Sequence, residues 1–226
     1  MLTVAFIGPD GAGKSTVIER VRAELPRPSK VVYMNINLYS VAALLPTTRL
    51  WLRIRMAQRG HLDLAKYGLA PPESERAARR RTRSAFKAVV RLAVYVSEES
   101  ARYLLAAYYR RRGLLVLFDR HFVAEYYGRD IGVSGRLPPD RALHRILLDR
   151  VYPRPDLVVC LDAPAEVLFA RKGEYTIEAL DAQRRRYLRS RGAFPNFVVI
   201  DATQPLDTVV LQVLEIIRTC SASESD

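Results

Sequence analysis

The stretch Val4–Thr16, VAFIGPDGAGKST, decides how the rest of the chain is read. An apolar run leads into three glycines, a lysine and two hydroxyls. Gly8, Gly13, Lys14 and Ser15 meet the pattern G-x-x-x-x-G-K-[ST]. Without Cβ atoms at 8, 11 and 13, successive N–H groups can face one concavity suited to an anion. Lys14 brings a mobile positive charge to the β- and γ-phosphates of a nucleotide, and Ser15 offers a hydroxyl to Mg²⁺. The surroundings agree with this reading. LTVAFI before the loop has the character of a buried strand, and STVIERVRAEL after it reads as an amphipathic helix whose N-terminal dipole favours the same anion.

Composition narrows the class. With 226 residues, 49% of them hydrophobic, the chain is long enough for one core, and a single domain is expected over 1–226. No apolar run reaches membrane-spanning length, and the N-terminal run is too short for a signal peptide. Cys160 and Cys220 make no disulfide framework; both are read as reduced and the protein as cytoplasmic, with peripheral contact at the inner membrane face left open. The formal charge is +12, and residues 49–112 hold 16 Lys/Arg against 5 Asp/Glu, so that one segment carries nearly all the excess. Such lopsidedness fits either a solvated helix face or an anionic partner, a membrane surface included.

Strand and helix patterns alternate. Strands are expected at 2–7, 30–35, 114–118, 157–161 and 196–200, apolar on both faces as a covered parallel sheet requires. Helices are expected at 14–25, 40–58, 74–112 with a break, 139–150, 164–171, 176–191 and 205–219, with SASESD as a frayed tail. The implied architecture is a three-layer α/β/α fold with a five-stranded parallel sheet, its ligands outside the strand carboxyl ends. Some eighty residues lie between the second and third strands, more than a crossover needs. They read as a basic helical insertion at about 37–112, with Ser74 capping a helix. In it Phe86, Val90, Ala93, Val94, Leu104 and Ala107 would face the body, and Arg83, Lys87, Arg91 and Arg102 the pocket.

Three further places carry chemistry. LLVLFDRHF ends a strand on Asp119, whose carboxylate can reach Mg²⁺ directly or through water. Arg120 follows, and a guanidinium beside a metal-binding carboxylate makes sense where it grips the phosphate of a second substrate. His121 reads as a packed histidine; Tyr126 and Tyr127 come next as candidate acceptor contacts with Arg102. In LDAPAEVLFARKGEYTIEALDAQRRRYLRS, Asp162 ends a strand, and Arg171, Lys172 and Arg184–Arg186 flank a short turn. That is what a lid at about 171–186 needs to bring positive charge to a transferring phosphoryl group. Finally IDATQP places Ala202, Thr203 and Gln204 where an adenine could be contacted.

In order and spacing, GPDGAGKST, DRH, PDLVVCLDAPAEVLFARK and IDATQP resemble the thymidylate kinase family of P-loop nucleoside monophosphate kinases. The likeness covers about the first 25 residues and 114–219. It implies a P-loop kinase fold and transfer of the ATP γ-phosphate, with Mg²⁺, to a nucleoside monophosphate. It matches Asp10 to a carboxylate near the metal and the transferring phosphate, Arg120 to the group that grips the acceptor phosphate, and Arg171 to the lid arginine. The expected catalytic set is then Lys14, Asp119, Arg120 and Arg171. ATP contacts fall on Gly8, Asp10, Gly11, Ala12, Gly13, Lys14, Ser15, Thr16, Arg171 and Thr203, the metal on Ser15 and Asp119, and the acceptor on Asp10, Arg102, Arg120, Tyr126 and Tyr127. ATP and Mg²⁺ are the expected cofactors and a small-molecule phosphate acceptor the expected partner. A homodimer is left open, and nucleic acid is not expected. Two other readings stay open: the same donor chemistry on a sugar, glycan or lipid-linked acceptor, and an ATP-binding regulator or nucleic-acid-binding module.

Overall fold

The computed structural model describes residues 2–34, 45, 85–127, 137–173 and 175–223. Its strands are β1 (Thr3–Ile7), β2 (Ser29–Tyr33), β3 (Leu115–Asp119), β4 (Leu157–Asp162) and β5 (Phe197–Asp201). Strand alternation sends Val4 and Phe6 of β1 to one side of the sheet and Ala5 and Ile7 to the other. Leu115 and Leu117 of β3 oppose Val116 and Phe118 in the same way, as do Leu157, Val159 and Leu161 of β4 against Val158 and Cys160. All pairings are parallel, in the order β2-β3-β1-β4-β5. Cover on both faces holds for the three central strands. On the edge strands Val31, Tyr33 and Val199 are 37%, 39% and 42% exposed, because a rim strand has only one neighbour and partial helix cover.

The helices are α1 (Lys14–Glu24), α2 (Ala85–Arg111), α3 (Phe122–Tyr126), α4 (Pro139–Ile146), α5 (Ala165–Lys172), α6 (Ile177–Arg189) and α7 (Leu206–Ser223). On one side of the sheet, α1 buries Val17, Ile18 and Val21, and α7 buries Val209, Val210, Val213 and Ile217. Those i, i+1, i+4 and i+8 spacings are one stripe of a helix. Each such side chain taken fully from water is worth about 1.5–3 kcal/mol. On the other side lie Ala106 of α2, Phe122, Val123 and Ala124 of α3, and Leu148 of a single π turn (Leu147–Val151) that ends α4. Helix α6 serves both sides, with Leu180 in the first cluster and Tyr187 in the second. The result is the three-layer α/β/α arrangement of P-loop kinases.

Local boundaries differ from the sequence reading in instructive places. Helix α3 was not foreseen: its N-cap is His121, whose Nδ1 accepts from the Val123 N–H at 3.3 Å. The tail expected from Ser221 continues α7 to Ser223. Apart from Leu45, the helix expected at 40–58, the start of that at 74–112 with its Ser74 cap, and residues 49–84 of the basic segment lie outside the described residues. So do Arg83 and the side chains of Phe86, Lys87 and Arg91.

The buried face of α2 corrects the sequence reading. Leu104 is 71% exposed and Ala93 is exposed, while Glu98, Glu99 and Arg102 are 0%, 0% and 3% exposed. Charges can face inward here because they satisfy one another. Arg102 pairs with the Glu98 carboxylate, and donates to the Glu98 carbonyl at 3.1 Å and the Tyr33 carbonyl at 2.9 Å. Glu99 meets His144 Nε2 at 3.0 Å. Burial pushes the Glu99 carboxyl up, and the bond to His144 pulls it part of the way back.

Candidate active site

Parallel pairing sets Phe6 beside Asp119 and Ile7 beside Cys160, so the loop after β1 emerges among the carboxyl ends of β3 and β4. The loop lies tight against β4. A Cβ built on Gly8, where φ is +138°, would stand 2.2 Å from the Leu161 carbonyl oxygen. Gly13 caps α1 with φ +81°, which turns the chain into the helix without a side-chain cap.

Lys14 is buried and curls back over the loop, its Nζ donating to the Gly8 carbonyl at 2.8 Å and the Pro9 carbonyl at 2.7 Å. Burial lowers its pKa to about 8, and the nearby Arg120 charge lowers it too, against the opposing pull of Asp10, Glu125 and Asp119. Ser15 Oγ lies 3.4 Å from Asp119 Oδ2. That spacing is close to the roughly 2.9–3.0 Å between neighbouring oxygens around a six-coordinate Mg²⁺ with bonds of about 2.0–2.1 Å. A hydroxyl and a carboxylate are also the hard ligands that ion prefers, so the pair fits it. Among the described residues no cluster of three His, Cys, Asp or Glu could hold a metal alone. Two protein oxygens, with waters and substrate phosphates completing the shell, are the usual arrangement for magnesium. Burial raises the Asp119 pKa, against the lowering by Arg120 and Lys14.

Arg120 is the centre of the site. Its guanidinium pairs with Asp10, and Nη1 lies 3.3 Å from Glu125 Oε1 and 3.4 Å from the Tyr187 hydroxyl. Tyr187 in turn donates to Glu125 at 2.6 Å. Burial works against the Arg120 charge, but Glu125, Tyr187 and Asp10 outweigh it and hold the pKa above the usual arginine value. For Asp10, burial raises the pKa, and Arg120 with Lys14 more than reverses that. Across from this group, Gln183 Oε1 of α6 accepts from the Asp10 N–H at 3.3 Å.

Lys14, Ser15, Asp10, Asp119 and Arg120, the core of the set expected from sequence, are thus brought together. Gly11, Ala12 and Thr16 follow in the same loop and first helical turn. Arg171 sits at the end of α5 and donates to the Ala202 carbonyl at 2.9 Å, tying that helix to the loop that carries Thr203. Thr203 itself is folded onto Asp201 through its N–H and hydroxyl, at 2.8 and 2.6 Å. Arg102 stands apart, its donors turned to Tyr33 and Glu98. Tyr126 is buried edge-on to Tyr95 and His144, with ring centroids 6.2 and 4.9 Å away, and Tyr127 closes α3. His121 is wholly buried and its pKa falls to about 3, by burial and then by the Arg154 charge, as a packed histidine would. Of the three lid arginines, Arg184 holds Asp162 through two bonds of 2.7 and 2.9 Å, and Arg185 pairs with Asp181 one turn back. The sequence reading did not single out Glu125, Gln183 or Tyr187. The signal available for the last two was their i, i+4 spacing, which puts them on one face of α6.

Fold and site together define a P-loop protein of the parallel α/β/α type, with a basic group placed opposite the loop lysine. Over about half its length the chain is similar to two archaeal proteins named as thymidylate kinases. It is 31% identical over 110 residues to "Probable thymidylate kinase 1" of Saccharolobus solfataricus, an alignment covering 46% of this chain and 54% of that one. It is 30% identical over 112 residues to "Probable thymidylate kinase" of Archaeoglobus fulgidus, covering 47% of this chain and 55% of that one. The chain therefore spans about half the length of these curated relatives. No protein-family model matches it. Among the described residues no helix is long and apolar enough to cross a membrane.

Proposed function

We propose that this chain is a P-loop kinase that moves the γ-phosphate of Mg·ATP to a nucleoside monophosphate. The observation that carries the reading is the meeting of Lys14, Asp119 and Arg120 at the carboxyl ends of β1 and β3. A lysine for the donor phosphates, a carboxylate–hydroxyl pair for the ion and a guanidinium for a second phosphate are the parts phosphoryl transfer requires. The names carried by the two archaeal relatives favour a nucleotide acceptor over a sugar, a lipid or a regulatory role.

In this reading the amides of Gly11–Thr16 and Lys14 hold the β- and γ-phosphates, with Lys14 leaving the Gly8 and Pro9 carbonyls to do so. Ser15 and Asp119 would hold magnesium, which supplies charge shielding at the phosphate oxygens. Arg120 exchanges Asp10 for the acceptor phosphate and fixes it in line with the donor, so positioning supplies much of the rate. Arg171 and Thr203 belong to the nucleotide end, while Arg171 and Lys172 form the near side of a lid over 171–186 within one domain. Tyr126 and Tyr127 border the acceptor side. For the basic segment 49–112 we propose contact with an anionic surface.

The test is ADP release from Mg·ATP by the purified protein against a panel of nucleoside monophosphates, thymidine monophosphate included. Acceptor-dependent turnover with one of them, lost in Lys14→Ala, is the expected result. In Arg120→Ala the acceptor KM should rise far more than the ATP KM. ATP binding with no acceptor-dependent turnover across the panel would overturn the reading.

A further inference from the structure

Arg120 is the only non-glycine residue with positive φ among the described residues, at +68°. A side chain held there is over-determined by its surroundings. The backbone is pinned by its own N–H, which donates to the Phe6 carbonyl at 2.9 Å, while the side chain is held in part from α6, an element far along the chain. Tyr187 and Gln183 stand one turn apart on it, and each reaches one member of the Arg120–Asp10 pair. Gln183 accepts from the Asp10 N–H at 3.3 Å, and the Tyr187 hydroxyl stands 3.4 Å from Arg120 Nη1. Glu125 of α3 closes the triangle, accepting from Tyr187 at 2.6 Å and from Arg120 at 3.3 Å. Helix α6 is itself fixed over β4 by the two bonds from Arg184 to Asp162.

We infer that Tyr187 and Glu125 are positioning residues that aim the Arg120 guanidinium. Through them, the helix that follows the lid turn sets the affinity for the acceptor. The inference rests on the functional reading above. The ring of Tyr187 is 1% exposed and packs in the core, so Tyr187→Phe removes the hydroxyl and keeps the packing. Glu125→Gln keeps the shape and removes the charge. Lys14 hydrogen-bonds to the Gly8 and Pro9 carbonyls and to neither of these groups, and Glu125 acts on it only through its charge, so donor affinity should move far less than acceptor affinity.

Two measurements on the full chain test this. With Mg·ATP and the acceptor probe active in the panel, each single variant should raise the acceptor KM about tenfold, the loss of one charge-assisted hydrogen bond. The ATP KM should stay within about twofold. The double variant should fall short of the product of the singles, because the two groups act as a unit. Acceptor and ATP KM rising together, or neither moving, would overturn the inference. The second readout does not need turnover: a crystal structure of the double variant. A guanidinium released from Asp10 supports the positioning role. A guanidinium still paired with Asp10 overturns it. If the wild-type chain turns over no acceptor, the functional reading fails, while the crystal structure still decides the positioning role.

Discussion

Adding one methyl group at Gly8 separates two kinds of loop requirement. At Gly8 φ is +138°, and the new Cβ would stand 2.2 Å from the Leu161 carbonyl oxygen and 3.2 Å from its carbon. Reaching an ordinary contact of about 3.4 Å needs a shift of roughly 1.2 Å. That shift cannot be taken up by a side chain, because Leu161 is backbone in β4, one residue past the Ile7–Cys160 pairing that locks β4 to β1. Backbone strain at such a φ costs about 1–3 kcal/mol, and loosening one or two ladder bonds adds about 1 kcal/mol each. Gly8→Ala should therefore lose about 2–5 kcal/mol. Gly13 has φ +81° with no atom within 4 Å of its would-be Cβ, so Gly13→Ala carries the strain alone, about 1–2 kcal/mol. Gly192 has neither feature, and its alanine variant should fall within about 0.5 kcal/mol of wild type. Urea unfolding with linear extrapolation reads all three. If Gly8→Ala costs no more than Gly13→Ala, the close approach of the loop to β4 is not what demands glycine there, and the reasoning fails.

Three other expectations concern single groups. Asp119→Asn should raise the magnesium needed for half-maximal turnover by about ten- to a hundred-fold and leave the unfolding midpoint nearly unchanged, read from Mg²⁺ titrations. Arg102→Leu should cost about 3–5 kcal/mol in denaturant unfolding, because it breaks the buried ion pair with Glu98 and the bond to the Tyr33 carbonyl; a loss below about 1 kcal/mol would refute that account. His121 has a pKa near 3 in the folded chain, against an ordinary histidine value of 6.5. The unfolded state therefore takes up a proton that the folded state refuses. Its contribution is complete above about pH 6.5 and is lost on acidification at up to about 1.4 kcal/mol per pH unit. His121→Asn should flatten that slope between pH 6 and 4 in unfolding curves, and an unchanged slope would place the proton elsewhere.

The loop from Gly8 to Ser15 and the strands around it were legible because each signal is local. Three glycines and a lysine at fixed spacing, and β-branched runs of strand length, need no knowledge of the rest of the chain. Asp119 and Arg120 were legible for the same reason, as a polar pair at the end of an apolar run. Helix α2 was misread because apolar periodicity alone was used to choose its inner face. Its inward stripe holds Glu98, Glu99 and Arg102, and burying them depends on Tyr33 and His144, whose nearness comes only from the fold. Helix α3 was missed because histidine is not a usual cap and five residues show no period. Gln183 and Tyr187 were hidden among arginines that looked like the purpose of the segment, and two of those are paired with Asp162 and Asp181 instead.

At rest, both cations of the site already have protein partners: Lys14 rests on two loop carbonyls and Arg120 on two carboxylates. The water these groups would hold in the open has been shed during folding, not at the moment a ligand arrives. Binding here is then an exchange of partners, and its free energy is the difference between two satisfied states. An anion that engages Lys14 alone displaces two good acceptors for little return and leaves Asp10 closed on Arg120. A ligand set that draws both cations at once frees the lysine and opens the ion pair together. The resting contacts so act as a threshold, lower per contact for a ligand set that engages both cations than for one that engages either alone.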